Sequence, residues 1–500
     1  MRRLIVALVM AVPSVLRAQQ QPLRLTMEEA VRRAVDQGEE MRLARAQLAQ
    51  AQGAVTQAYA EALPELRASL TYTRTFASVF SGGQGGPALD PYAPDTTAPI
   101  SDRVRYLERE YDNMLPRGLS RLFAATPFGR ENSYVWQLTL RQTLFRGGVV
   151  GAGVRGARAY ERAARAGLEE TRHDVAYRTR RAYLNALFAQ RLLEIAEGSR
   201  ALSAEQLRRV ELNHRVGTSA DYDLLRSQVE YANTEPAVIA ARNDRDLAFL
   251  ELRRLVNVPA ETPLELDATV LAAQESLPEV DLEALSADLG SRASLEAAQW
   301  TVNFRREAVR VYRGELMPAL RFQMNYGGQA FPSGALPGGG DFRRDWNASL
   351  TVSMPLFDGF RTRGQVASAR ADLEAAELQL EAAREAVALE VEQARAELVR
   401  ARALVEARRQ TVQWAARAYQ LASVRYANGI STQLEVSDAR LAMQQAQVNE
   451  AAATRDYLLS LAALERALGR PVPLQRAQRA ASRERGAGLS NNPNQSEHRH

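Results

Sequence analysis

Residues 418–445 read AYQLASVRYANGISTQLEVSDARLAMQQ, the pattern of one helix that ends and another that begins. Gly429, which follows an asparagine, favours the left-handed backbone conformation that stops a helix. Ser431 and Thr432 can cap the next helix, and Glu435, three residues after Thr432, completes the sequence of a capping box. The stretch therefore predicts a helical hairpin with a tight, capped tip and acidic residues just beyond it.

This hairpin has a counterpart earlier in the chain. Residues 213–228 read NHRVGTSADYDLLRSQ, with the same layout around Gly217, 212 positions before Gly429. The same offset relates Leu138, Leu144, Gly147, Leu252 and Pro259 to Leu350, Leu356, Gly359, Leu464 and Pro471. Earlier matches, such as Pro64 with Pro318 and Tyr72 with Tyr326, lie 254 positions apart, so the first repeat has 42 extra residues. This extra length falls in a loop, within which residues 101–115 predict a short helix. The chain is therefore an internal duplication, and this decides the fold.

The composition of the 500-residue chain excludes several classes of protein. With 46% hydrophobic and 25% charged residues, it is too apolar for disorder and too polar for a helical membrane protein. A net charge of +5 with interleaved signs does not indicate nucleic-acid binding. The absence of cysteine excludes disulfides and thiolate metal sites, and the four histidines are too scattered to predict a zinc site. No catalytic triad, phosphate-binding loop or cofactor motif is evident, so we expect neither an enzyme nor a cofactor.

The order of segments predicts an exported protein built from two repeats. Residues 1–18 have the basic start, short apolar run and small final residue of a secretory signal peptide. We assign 19–259 to the first repeat, 260–278 to a linker, 279–471 to the second repeat and 472–500 to a polar, disordered tail. No stretch approaches the ~20 apolar residues that a membrane-spanning helix needs.

Each repeat contains a long helical run that no proline interrupts. In the second repeat, apolar or small residues recur at spacings of three and four, which is the seam of a coiled coil. These residues are Val366, Ala369, Leu373, Ala376, Leu380, Ala383, Val387, Val391, Ala394, Leu398, Ala401 and Val405. Because many of them are alanines, a single rod would bury little apolar surface, and we expect it to need neighbouring helices.

Four segments alternate between apolar and polar residues, the pattern of strands with two different faces. In YVWQLTLRQTLF, residues 134–145, aromatic and aliphatic residues fall on one face and polar residues on the other. Segments that begin at Leu66, Leu320 and Trp346 have the same pattern. It fits a barrel strand between lipid and water, and also an ordinary half-buried strand. Four strands cannot close a barrel, and open edges cannot face lipid, so in a membrane several chains would pool their strands.

Together these features resemble the TolC-like outer-membrane efflux proteins. The resemblance covers about residues 25–471 and is carried by the two-fold repeat, by LFRGG from Leu144 and LFDGF from Leu356, and by the tips RVGTSADYDLL and RYANGISTQLEVSDA. It implies a mainly α fold with a transmembrane β-barrel, in which a homotrimer forms a twelve-stranded barrel and a coiled-coil tunnel across the periplasm. It also implies docking, through the tips, onto a periplasmic adaptor protein fed by an inner-membrane pump.

The resemblance also implies a periplasmic gate at the tips. Glu435 and Asp438, three residues apart on one helix face, would form two acidic rings that favour cations. Tyr426 and Asp223 would hold the closed state. Many members of the family carry a basic residue where this chain has Ser431. The implied adaptor contacts are Val216, Gly217, Thr218, Asn428, Gly429 and Ile430.

The functional interpretation is a channel in the outer membrane of a Gram-negative bacterium that exports small molecules such as drugs, toxic compounds or metals. Two alternatives stay open: a duct for type I protein secretion, and a soluble periplasmic coiled-coil scaffold. The pump, of the RND, ABC or a similar type, is also left open. Glu435 has two possible roles, since an acidic residue there also stabilises a helix N-terminus, whereas Asp438 lies a turn further in.

Overall fold

A computed structural model describes residues 22–77, 95–125, 130–269, 280, 292–332 and 334–472, and the chain is mainly helical, as predicted. The predicted signal peptide and nearly all of the predicted tail lie outside these residues. The helices are α1 (Met27–Gln37), α2 (Glu39–Ala60), α3 (Ile100–Ala125), α4 (Val149–Arg215), α5 (Asp221–Ala232), α6 (Thr234–Leu255), α7 (Ala293–Gly314), α8 (Arg361–Ala427) and α9 (Gln433–Leu468). The strands are β1 (Leu23–Leu25), β2 (Glu65–Arg74), β3 (Asn132–Arg146), β4 (Leu264–Leu266), β5 (Ala319–Ala330) and β6 (Arg343–Ser353).

Helices α4 and α8 are the two long runs that the sequence predicts. Each has 67 residues, and their first residues, Val149 and Arg361, lie 212 positions apart, as do their last. The predicted seam of α8 is confirmed, because none of its twelve residues is exposed. Eight of them, from Ala369 to Val405, are buried. The alternation of three and four thus marks the face that α8 packs against other helices.

Two runs that the sequence presents as continuous helices are broken. Gly38 separates α1 from α2, and a side chain there would lie 2.2 Å from the carbonyl oxygen of Ala34, so only glycine fits. Asn233 separates α5 from α6. Pro236 lies in the first turn of α6, where backbone N–H groups have no helical partner. The proline therefore starts a helix there but cannot continue α5.

Helix α3 is longer than predicted. It runs for 26 residues instead of the 15 expected from 101–115. In the predicted linker, β4 pairs in parallel with β1, aligning Leu264 with Leu23. The sequence gives no strong signal for a strand of only three residues.

The four predicted strands form one antiparallel sheet in the order β2-β3-β5-β6. The register aligns the apolar residues of neighbouring strands in rows, such as Ala68, Leu138, Tyr326 and Trp346. The opposite face is polar, and its row contains Arg67, Thr139, Asn325 and Asn347. The hydroxyl of Thr139 donates to Asn325 at 3.0 Å, and the amide of Asn325 donates to Asn347 at 2.9 Å. Both predicted faces are therefore continuous across the sheet.

One position in β5 requires glycine because an aromatic side chain lies against it. A Cβ at Gly328 would lie 2.6 Å from the indole nitrogen of Trp136 on β3. The Trp136 ring also packs edge-on against Tyr326, with ring centroids 5.5 Å apart. Tyr72 and Tyr134 stack nearby at 4.7 Å. Aromatic residues of the apolar face thus pack in at least two pairs near one end of the strands.

The chain divides into two compact units. One contains Met1–Gln52, Ala159–Asn303 and Glu374–His500, and the other contains Gly53–Arg158 and Phe304–Leu373, with the four-stranded sheet. In the first unit, the buried side chains of Leu398, Val405, Tyr457 and Leu464 belong to one core, and those of Leu25, Tyr183, Leu187 and Leu252 to another.

None of the helices in the described ranges is both long and apolar enough to cross a membrane.

Candidate functional site

The first helical tip joins α4 to α5. Gly217 has a φ of +77°, the left-handed conformation predicted for it. The amide of Thr218 donates to the carbonyl of Asn213 at 2.8 Å, which satisfies a carbonyl at the end of α4. Across the turn, the imidazole of His214 lies 2.6 Å from the carboxylate of Asp221, the first residue of α5. Ala220 occupies the N-cap position of α5 and provides no side-chain hydrogen bond.

The second tip joins α8 to α9 by the same backbone turn. Gly429 has a φ of +75°, and the amide of Ile430 donates to the carbonyl of Arg425 at 2.9 Å. Here the cap of the next helix is a side chain, because the hydroxyl of Thr432 accepts from the amide of Glu435 at 3.4 Å. The capping box is half formed. In the Thr26 box of α1, the carboxylate of Glu29 accepts from the amide of Thr26, whereas the carboxylate of Glu435 accepts no such bond from the amide of Thr432. The carboxylate of Glu435 is thus not used for capping.

The two acidic residues in the first two turns of α9 point away from its buried face. Glu435 and Asp438 are exposed, whereas Val436 and Ser437 between them are buried. Among the described residues, neither carboxylate forms an ion pair or a side-chain hydrogen bond. Within one chain, two carboxylates therefore share an exposed face of α9 close to the tip.

The two residues predicted to hold the closed state, Tyr426 and Asp223, lie near each other on different hairpins. Tyr426 and Asp223 are both half-buried, near the ends of α8 and α5 that adjoin the turns. Burial raises the pKa of the Tyr426 hydroxyl, the carboxylate of Asp223 raises this pKa further, and Arg209 opposes the shift. The hydroxyl is therefore neutral at pH 7 and can donate a hydrogen bond. No direct hydrogen bond joins the two side chains within this chain.

Polar side chains connect the two hairpins behind the tips, and sequence reasoning missed them. The amide of Gln433 donates to the hydroxyl of Ser227. The hydroxyl of Ser437 donates to Glu230 at 2.6 Å, and this carboxylate also accepts from Arg226.

Deeper in the same contact, the guanidinium of Arg440 donates to Ser199 at 2.8 Å, and Ser199 donates to Gln444 at 2.8 Å. Arg440 is only 7% exposed, and Ser199 is also buried. Buried polar groups are costly unless they are paired, so these bonds fix how α9 sits against α4 and α5. The one signal in the sequence is that Gln433, Ser437, Arg440 and Gln444 recur at helical spacing.

The six residues assigned to adaptor contact are all exposed. Val216 and Ile430 are the exposed apolar members of the two turns, Val216 before its turn glycine and Ile430 after its own. No atom would lie within 4 Å of a side chain at either Gly217 or Gly429, so these glycines are required by their backbone conformation and not by a close neighbour. Each tip thus presents a small surface with one apolar residue at its end.

Among the residues that the structure describes, no group of three or more histidine, aspartate or glutamate side chains is arranged to hold a metal ion. The chemistry of the tips is accordingly that of carboxylates, hydroxyls and apolar contacts. Such an arrangement can bind or repel ions and can open or close, but the tips show no nucleophile paired with a base.

Three comparisons with known proteins agree with this architecture. The model of the family described as outer membrane efflux protein matches residues 30–258 and 284–470. The outer membrane protein TolC of Vibrio cholerae is 24% identical over 301 residues, which cover 60% of this chain and 68% of that protein. The alkaline protease secretion protein AprF of Pseudomonas aeruginosa is 24% identical over 342 residues, 67% of this chain and 69% of that protein.

The crystal structure of the CmeC outer membrane channel of Campylobacter jejuni has the same fold. The match has a TM-score of 0.71 at 15% identity and covers 92% of this chain and 88% of that one. The family model spans most of the chain in two segments. The chain therefore belongs to the outer membrane efflux protein family. Its function is that of the family, an outer-membrane efflux channel.

Proposed function

We propose that three copies of this chain form an export duct that passes small molecules from the periplasm through the outer membrane of a Gram-negative bacterium. The observation that carries the proposal is the continuous apolar face of the sheet. Leu70, Trp346, Leu350 and Val352 are exposed on this face in a single chain. Apolar rows of this size require lipid or another apolar partner.

The open edges of the sheet support assembly into a barrel. β2 and β6 each pair on one side only, which leaves backbone N–H and C=O groups without partners along the other side. In lipid such groups are satisfied only when the sheet closes. Pairing of β6 in one copy with β2 in the next would close a barrel of twelve strands in a trimer, with the polar row of Thr139 and Asn325 inside.

The tips support a gate at the periplasmic end of the proposed duct. In the trimer, the exposed carboxylates of Glu435 and Asp438 face the axis and form two acidic rings that favour cations. Tyr426 and Asp223 hold the hairpins in the closed state. The apolar ends of the tips, at Val216 and Ile430, dock onto a periplasmic adaptor that connects the duct to a pump in the inner membrane.

Type I protein secretion is a second candidate. It is favoured by the similarity to AprF, whose name describes protease secretion. The same barrel, tunnel and tips would serve both functions, so only the cargo and the pump would differ. Transport assays in a strain that lacks this chain distinguish the two. Accumulation of small toxic compounds indicates efflux, and loss of a secreted protein indicates secretion.

The assembly is tested by extraction of outer membranes with mild detergent. We expect a trimer that migrates intact in SDS without heating and dissociates when heated. Leu350→Arg places a charge on the apolar face and should remove the protein from the membrane, at a cost of about 2–4 kcal/mol near the bilayer midplane. Its neighbour Ser349→Arg, on the polar face, is the matched control and should assemble. Recovery of the native chain in the soluble periplasm would contradict the proposal.

A further inference from the structure

The helix α3 presents an apolar stripe that nothing in the rest of the described chain covers. Ile100, Val104, Leu107 and Tyr111 are 79%, 47%, 52% and 73% exposed. Their spacings of four, three and four place them on one face of the helix. This is the a and d pattern of a coiled coil, with Val104 and Tyr111 at a positions and Ile100 and Leu107 at d positions.

The helix lies at a defined end of the sheet. It belongs to the connection between β2 and β3, and the amide of Thr75 donates to the carbonyl of Glu131 at 2.7 Å just beyond the last paired residues, Arg74 and Asn132. The other ends of these strands continue into α2 and α4. Helix α3 is therefore attached to the end of the sheet opposite to these helices, which is the outer mouth of the proposed duct.

The charges around this stripe, in the first half of α3, argue against an anionic lipid surface as its partner. Helices that lie on membranes carry mainly lysine and arginine on the polar face. The segment from 100 to 112 carries four acidic residues and three arginines, so its net charge is −1. The acidic residues are Asp102, Glu108, Glu110 and Asp112, and the arginines are Arg103, Arg105 and Arg109.

The same charges fit a second copy of the helix. With Val104 at an a position, Arg103 takes a g position and Glu108 an e position of the next heptad. In parallel coiled coils, a g residue lies beside the e residue five positions later in the neighbouring helix. Arg103 of one copy would therefore lie beside Glu108 of the next, and both side chains are exposed in the single chain.

Rotational symmetry supplies the parallel orientation that this pairing needs. Copies that share one barrel are related by rotation about its axis, so α3 helices that run along this axis point the same way. We propose that the α3 helices of one assembly pack against each other through this stripe, as a parallel coiled coil at the outer mouth of the duct. This inference rests on the proposed function, because it requires several chains in one barrel.

A disulfide test uses the absence of cysteine from the native chain. Leu107→Cys places one thiol per chain in the proposed seam, and Arg109→Cys places it on the opposite face of the helix. Disulfides form only when the two Cα atoms come within about 7 Å. After mild oxidation of the detergent-extracted protein, we expect covalent dimers from Leu107→Cys and monomers from Arg109→Cys on denaturing gels.

Charge reversal tests the pairing itself. Arg103→Glu, added to Leu107→Cys, brings like charges together and should lower the yield of covalent dimer. Further addition of Glu108→Arg restores opposite charges and should restore the yield. Equal yields of covalent dimer from Leu107→Cys and Arg109→Cys, or the absence of rescue, would overturn the coiled coil. If the protein is still a trimer on unheated gels, the proposed function is unaffected by that result. Absence of the trimer itself would overturn both.

Discussion

The two helical tips have the same backbone and different side chains. Gly217 and Gly429 are related by the 212-residue offset and have nearly identical φ angles, +77° and +75°. At the N-cap, the first tip has Ala220 with no side-chain bond and the second has Thr432, whose hydroxyl caps α9. The duplicated turn is thus conserved in shape between the repeats, and its polar groups have diverged.

The acidic residues show the same divergence. Asp223 of the first tip is the counterpart of Glu435, so an acid occurs in both. One turn further on, Asp438 of the second tip corresponds to Arg226, which pairs with Glu230 at 3.0 Å. The first tip thus has a paired arginine at the position where the second tip exposes its second carboxylate. The comparison supports the proposal that the second hairpin forms the acidic rings and that the first acts as its support.

The contact between the hairpins is expected to give the largest effect. Arg440→Ala removes the buried bond to Ser199 and leaves a space between α9 and α4. We expect this to destabilise the tip by about 1–3 kcal/mol. Amide hydrogen exchange in α5 and the first turns of α9 should accelerate accordingly. Arg400→Ala, which removes an exposed ion pair with Glu397, is the control and should have almost no effect. Equal effects of the two changes would show that the buried contact does not hold the tips together.

The turn glycines should respond equally if the two backbones are equivalent. Gly217→Ala and Gly429→Ala each place a side chain in the left-handed conformation, which costs about 1–2 kcal/mol. Thermal unfolding of the purified protein measures both. Gly167→Ala, in the interior of α4 with no atom near its added methyl group, should instead stabilise by about 0.5–1 kcal/mol. Unequal effects at 217 and 429 would mean that one turn is relaxed by contacts that the other lacks.

Much of this architecture follows from the sequence alone. The seam of α8 and the two faces of each strand were predictable because burial repeats with the period of the local structure, 3.6 or 2 residues. The turns were predictable because only glycine readily adopts the left-handed conformation at positions 217 and 429. Of the two predicted caps, Ser431 and Thr432, the structure uses Thr432, whereas the prediction of a full capping box with the Glu435 carboxylate was wrong.

The contacts between the hairpins were not predictable in the same way. Gln433 meets Ser227, and Arg440 meets Ser199, across 206 and 241 residues of chain. Such pairs depend on how far each helix is rotated about its axis and shifted along it, and no local pattern specifies either quantity. The break at Asn233 differs, because it has a local signal in Pro236, which lies within a strongly helical run.

An exchange of the two N-caps tests the divergence directly. Thr432→Ala should destabilise the start of α9 by about 1 kcal/mol, because the amide of Glu435 loses its acceptor. The reverse change in the first tip, Ala220→Thr, should stabilise α5 by a similar or smaller amount. Hydrogen exchange of the first turn of each helix reports the two effects separately. If Ala220→Thr gives no protection, the first tip is held by its His214–Asp221 contact and a cap adds nothing.

The smallest effect is expected at Tyr426. Tyr426→Phe removes one hydroxyl near Asp223 and should favour the open state by about 0.5 kcal/mol, which raises conductance slightly. Because the pKa of this hydroxyl is raised above its ordinary value of 10, its contribution should be constant below pH 10 and should be lost as the pH rises through the folded-state pKa. Native channels should therefore open further above pH 10, and Tyr426→Phe should lack that step. An alkaline step that persists in Tyr426→Phe would assign it to another group.

Cation block in planar bilayers tests the central claim, that the second tip carries an acidic constriction. Asp438→Asn neutralises one carboxylate in each chain, and we expect multivalent cations to block at least about tenfold more weakly, a change of about 1.4 kcal/mol. Asp221→Asn, which neutralises an exposed acid of the first tip, should leave the block unchanged. If cations block Asp438→Asn as strongly as the native channel, or if both changes weaken the block equally, the carboxylates of α9 do not form the constriction.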